Sequence, residues 1–137
     1  MAAVLDTSVV VRYLTMDPPD QGAEAQALVD GADELAVPSV ALAEAAFALT
    51  RLYGIDRGTA VDLLVDLLGR SNLRVLDVPT ATAIEALLLC RPSGRVSFAD
   101  ALIWAAARAF GTSVVYTFDR SFPDAGIERR ILGRRTS

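Results

Sequence analysis

Short apolar runs that alternate with helical stretches constrain this chain most. Ala2–Leu5, Leu35–Val37, Leu73–Leu76 and Ser113–Tyr116 read as strands, and Ile127–Ile131 is a candidate last one. Each is too short to be a buried helix, and the first two are apolar throughout, as strands covered on both faces are. Between them lie helical patterns at Thr7–Leu14, Ala23–Asp30, Ser39–Tyr53, Arg57–Leu68, Ala81–Leu89 and from the Ser97 cap to Phe110. Ser39 reads as the N-cap of the third of these. Gly31, Gly54, Gly69 and Gly111 follow four of the helices, where a left-handed glycine would satisfy the last carbonyls. The turns lie at "MDPPDQG" (16–22) and "CRPSGR" (90–95). Strands alternating with helices specify βαβ units. The expected fold is therefore α/β: a three-layer α/β/α domain with a central parallel sheet of about four or five strands, near the usual sheet size. At 137 residues, 53% of them hydrophobic, the chain is expected to form one domain over 1–137.

The residues that are missing narrow the chemistry. The chain has no histidine and no lysine, so all 13 basic residues are arginine. That excludes a Ser-His-Asp triad, histidine-ligated zinc, a Schiff base and a phosphate-loop lysine. Cys90 is the one cysteine; it has no histidine to activate it and no partner for an intramolecular disulfide. No basic leader precedes the first apolar run, and no run is long enough to span a bilayer, so a cytoplasmic protein with no membrane partner is expected. What remains is carboxylate chemistry, which suits hard cations such as Mg²⁺ and Mn²⁺.

Four acids stand out from their surroundings. Asp6 ends the first strand in "AAVLDTS", and Asp119 follows the fourth in "SVVYTFD". Parallel strands would bring both to the carboxyl edge of the sheet, where open α/β folds bind ligands. Glu44 is the only charge between Val37 and Thr50, and Asp100 the only one from Val96 to Ala107. Each alone has a structural explanation: a cap for Asp6, a turn for Asp119, the helix dipole for Asp100, an outward face for Glu44. Glu85, in "ATAIEALLL", fits the solvated face of an amphipathic helix. Four acids clustered without a counterion would raise one another's pKa, and a divalent cation removes that conflict. Setting the four aside leaves 13 acids against 13 arginines. Arg12, Arg51, Arg95 and Arg120 lie near the acids in sequence and are candidate phosphate contacts, with a solvated surface charge as the alternative for each. The basic tail "IERRILGRR" is weaker evidence of the same kind.

The chain resembles a PIN domain, and within that family a VapC-type toxin ribonuclease of a type II toxin–antitoxin system. The resemblance rests on "VLDTSVVVRYL", "PSVALAEAAFAL" and "VSFADALIWAAARAFGTSVVYTFDRSF", which together span nearly the whole chain. It implies a metal-dependent endoribonuclease with a catalytic, metal-binding set of Asp6, Glu44, Asp100 and Asp119. Asp6 and Asp100 would be direct ligands of Mg²⁺ (or Mn²⁺), and Ser8 and Thr117 would orient carboxylates from behind. Arg12, Arg95 and Arg120 are the candidate substrate contacts. The implied partners are a cognate VapB-like antitoxin, a structured RNA such as transfer or ribosomal RNA, and a second copy in a homodimer. Other acid-bearing α/β folds fit less well. A receiver domain needs a lysine, a haloacid-dehalogenase phosphatase needs an acid at position 8, and a dinucleotide fold needs glycines in "DTSVVV". A non-catalytic PIN-like RNA- or protein-binding module and an RNA-processing nuclease that is not a toxin are the competing functions.

Overall fold

A computed structural model describes residues 2–92, 95–112 and 114–133. Five parallel strands form one sheet in the order β3-β2-β1-β4-β5. These are β1 (Ala3–Leu5), β2 (Leu35–Pro38), β3 (Leu73–Leu76), β4 (Val114–Thr117) and β5 (Glu128–Ile131). The helices are α1 (Thr7–Thr15), α2 (Pro19–Val29), α3 (Ser39–Phe47), α4 (Arg57–Leu68), α5 (Thr80–Leu89) and α6 (Phe98–Phe110). They occur in pairs between β1 and β2, β2 and β3, and β3 and β4.

The two faces of the sheet follow from burial. Every residue of β2 is buried, as are Val4 and Leu5 of β1, so the centre of the sheet is covered on both sides. The outer strands are less protected, with exposed Arg74 and Val75 in β3 and exposed Glu128 and Arg130 in β5. Val4 pairs with Ala36 on one side and Val115 on the other, which makes β1 the pivot where strand order reverses. The crevice beyond its carboxyl end is therefore the place for a ligand.

Several local expectations need correction. Helix α2 starts at Pro19, not Ala23, because Pro18 is extended and Pro19 occupies the first turn, where its missing N–H costs nothing. Ser39 is the first helical residue rather than the cap; extended Pro38 takes that position. The helix expected over Ser39–Tyr53 is α-helical only to Phe47 and continues as a π-helical turn over Ala48–Leu52. There the Thr50 hydroxyl donates to the carbonyls of Ala46 and Phe47 (2.8 and 3.3 Å), competing with the backbone ladder. Of the four terminal glycines, Gly54 and Gly111 are left-handed (φ 67° and 85°), whereas Gly69 stays in the right-handed region (φ −74°) and Gly31 is also not left-handed. The left-handed cap of α1 falls instead on Met16 (φ 56°). Strand β4 includes Thr117, one residue further than expected, and Ser113 lies outside the described residues.

Candidate functional site

Asp6 leaves β1 in extended conformation and caps α1. Although only 2% exposed, it is well supplied with donors. The Thr7 amide donates to Oδ1 (2.7 Å), and the hydroxyls of Ser8 and Thr117 donate to Oδ2 (3.0 and 2.5 Å). The backbone sets the direction of those hydroxyls. Ser8 Oγ accepts the Phe118 amide (2.9 Å), and Thr117 Oγ1 accepts the Asp119 amide (2.9 Å). Each hydroxyl has one proton, and with the amides on its lone pairs that proton is free to go to Asp6. Thr117 is fully buried, so this link between β1 and β4 is sealed from solvent.

The other three acids meet beside it. Glu44, half-buried on α3, accepts the Thr7 hydroxyl at Oε1 (2.8 Å). Asp100 sits in the first turn of α6, whose N-cap Ser97 accepts its amide (3.0 Å). The carboxyls of Asp100 and Asp119 hydrogen-bond to each other, and the Ser121 amide donates to Asp119 Oδ1 (2.8 Å).

Electrostatics separate the acids. Burial pushes the Asp6 carboxyl up, its three donors pull it back, and the nearby Asp119 charge adds a smaller upward push. Asp100 is pushed up to about 9, first by burial, then by its bond to Asp119 and by the charges of Asp6, Asp119 and Glu44. Asp119 is held below the ordinary carboxylate value, chiefly by the bond from Asp100, then by the Ser121 contacts and the charge of Arg129. At neutral pH the pair thus shares one proton, as crowded carboxylates must when no cation separates them.

These side chains line an open cleft of about 410 Å³, bordered by Asp6, Thr7, Ser8, Glu44, Arg95, Ser97, Asp100, Asp119 and Ser121. A hollow of similar size, about 440 Å³, lies around Ala3, Glu34, Leu35, Thr112 and Arg130. It borders the amino ends of β1, β2 and β4, away from the converging acids and from the edge where such sheets bind ligands. All donors in the acidic cleft are oxygen, the ligand type of Mg²⁺ and Mn²⁺. Among the described residues no three His, Cys, Asp or Glu side chains already form a metal cage. The arrangement suits an ion that takes a pair of carboxylates and keeps several waters, which is the habit of Mg²⁺.

Asp6, Ser8, Glu44, Asp100, Asp119 and Arg95 therefore come together, with Thr117 beneath them. Glu85 is exposed and outside the cleft, and so is Arg120. Arg12 does not line the cleft either; it bonds Gln21 and the Ser8 carbonyl. Arg51 lies over the Phe47 ring and borders a different groove. Sequence reasoning missed Thr7, Ser97 and Ser121 as cleft residues. Thr7 had one available signal, its place between Asp6 and Ser8, and Ser97 had its capping role; Ser121 had none.

Comparison with known proteins agrees with this architecture. The chain shares its fold with Mycobacterium tuberculosis VapC20, a toxin that cleaves the sarcin–ricin loop (24% identity, TM-score 0.74, covering 93% of this chain and 97% of that one). It is also similar to VapBC2 of Rickettsia felis, solved on a DNA fragment from its promoter (19% identity, TM-score 0.66, 94% and 98% covered). A toxin–antitoxin complex from Klebsiella pneumoniae is a third (16% identity, TM-score 0.60, 93% and 96% covered). No curated protein sequence matches. The profile of the PIN domain family matches residues 3–128, nearly the whole chain, and the protein belongs to that family.

Proposed function

We propose that this protein is a metal-dependent endoribonuclease, the toxin of a VapBC-type pair, which hydrolyses phosphodiester bonds in structured RNA such as transfer or ribosomal RNA. PIN domains are typically metal-dependent nucleases, usually with Mg²⁺. The observation that carries the reading is the convergence of Asp6, Glu44, Asp100 and Asp119, from four separate elements or their ends, on one open cleft. It marks an excess of negative charge built into an open cleft, which a divalent cation would relieve.

In this reading Asp6 and Asp100 would be the direct ligands, and Glu44 and Asp119 would complete the pocket. When bound, the cation supplies a nucleophilic water at neutral pH and stabilises charge developing on the phosphate. The protein's part is orientation. Ser8 and Thr117 fix the Asp6 carboxylate, and Thr7 fixes Glu44. A cation there would favour the ionised form of Asp100, whose carboxyl is otherwise held up, so its binding would be linked to pH. Arg95, at the cleft, and Arg120, exposed just after Asp119, would take RNA phosphates. Toxin–antitoxin complexes among the structural neighbours support an antitoxin partner, and the family resemblance supports a homodimer. No helix among the described residues is long and apolar enough to cross a membrane.

The test is incubation of purified protein with total RNA in Mg²⁺ or Mn²⁺, with EDTA and with Asp100→Asn as controls. Discrete cuts that need both the metal and Asp100 are expected. Absence of cleavage across a broad panel of structured RNAs, by a folded protein that binds the metal, would favour a binding module. Cleavage without growth arrest on expression would favour an RNA-processing nuclease.

A further inference from the structure

Arg12 lies one helical turn beyond Ser8 on α1 and is half-buried. Among the described residues it has no carboxylate partner. Its Nε donates to Gln21 Oε1 on α2 (2.6 Å), its Nη1 reaches the Ser8 carbonyl (3.3 Å), and its guanidinium lies 4.7 Å from the centre of the Phe118 ring. Phe118 is the residue between Thr117 and Asp119, and its amide donates to Ser8 Oγ (2.9 Å). Arg12 thus touches both ends of the Ser8–Phe118 link. The far side of the layer is closed by Gly133: a Cβ there would stand 3.2 Å from Phe118 Cδ1 and 3.3 Å from Gln21 Nε2. Glu24 anchors the Gly133 amide at 3.0 and 3.2 Å.

We propose that Arg12 is a positioning residue: stacked on Phe118 and hooked to Gln21, it holds the Thr117–Asp119 segment against α1 and so fixes where the Asp119 carboxylate stands. Its catalytic consequence rests on the nuclease reading above, whereas its geometric consequence does not. Lysine cannot replace it, because an ammonium lacks the planar group that stacks on a ring and the fork that bonds at two directions.

The experiment compares Arg12→Lys, Arg12→Met and Phe118→Leu with the unaltered protein. The first readout is amide hydrogen exchange in EDTA. The Phe118 and Asp119 amides are expected to exchange roughly tenfold faster in all three variants, with melting temperatures within a few degrees of the parent. The second is Mn²⁺ binding by calorimetry, expected to weaken several-fold in all three. The third is RNA cleavage, where kcat should fall with KM little changed. The effects of the Arg12→Met, Phe118→Leu double variant should be less than additive, since the two single changes share the loss of the ring contact.

Parental exchange rates in both Arg12 variants would overturn the proposal. So would rescue by Arg12→Lys combined with a raised KM and a shallower salt dependence in Arg12→Met, which would make Arg12 a phosphate contact. Exchange that rises throughout the protein with a collapsed melting temperature in Arg12→Lys, Arg12→Met and Phe118→Leu alike would make the cluster merely structural. If the unaltered protein cleaves no RNA, the nuclease reading fails while the exchange data still decide the role of Arg12.

Discussion

Thr117 stands between two demands at the residue scale. Its oxygen accepts from the Asp119 amide while its proton goes to Asp6. Thr117→Val keeps the shape and removes both bonds, leaving a buried carboxylate short of one donor. A loss of about 1–3 kcal/mol in stability is expected, read by urea denaturation. Mn²⁺ affinity should fall about ten- to a hundredfold, as for other residues that orient a metal ligand. The Asp100–Asp119 pair has its own signature. Asp100 lies well above its ordinary 3.8, at about 9, so between those values the folded chain holds a proton that the unfolded chain does not. The stability this contributes is fully present at the acid end and is lost as pH rises toward about 9. Asp119, held low, acts in the opposite sense: its contribution is present above the ordinary value and lost on acidification below it. The melting temperature in EDTA should therefore decline from mildly acidic to alkaline buffer, and Asp100→Asn should flatten that decline. A steeper fall in Asp100→Asn would count against the shared proton.

At the scale of elements, close approach explains more than propensity. Helix α2 packs so near the end of α1 that a Cβ on Gly22 would lie 2.6 Å from Met16 Cα and 2.9 Å from its carbonyl carbon. These are backbone atoms and cannot swing aside. Gly22→Ala should cost about 1–3 kcal/mol, seen as a lower urea midpoint, although alanine is the better helix former. This is also where the sequence was hardest to read. The strands were visible because apolar runs bounded by turns have few alternatives, and the acids were visible because each was the only charge in an apolar stretch. Gly22 looked like part of a turn, since its reason for being glycine is a tertiary contact. The π-helical turn at Ala48–Leu52 was hidden in the same way: the pattern from Ser39 to Tyr53 reads as one helix until the hydroxyl of Thr50 enters the ladder. Ser121 holds Asp119 partly through its backbone amide, which no residue type announces.

For the molecule as a whole, a cation in the cleft should act as a folding ligand. If Mn²⁺ binds only the folded state, a concentration a hundred times its dissociation constant adds about 2.7 kcal/mol of stability. A thermal shift that grows with Mn²⁺ and disappears in Asp100→Asn is expected; an unchanged melting temperature in the parent would argue against a site in the cleft.

The link between Asp6 and Thr117 spans 111 positions. On a ribosome, at about 5–20 residues per second, on the order of ten seconds separate the making of the first from that of the second. Throughout that interval the carboxylate has no β4 beside it and neither Thr117 nor Asp119 to complete its surroundings. The nascent chain therefore carries Asp6 for most of its synthesis without a finished cleft around it. The acidic cleft is completed late, when the fourth strand has emerged and slotted in beside the first.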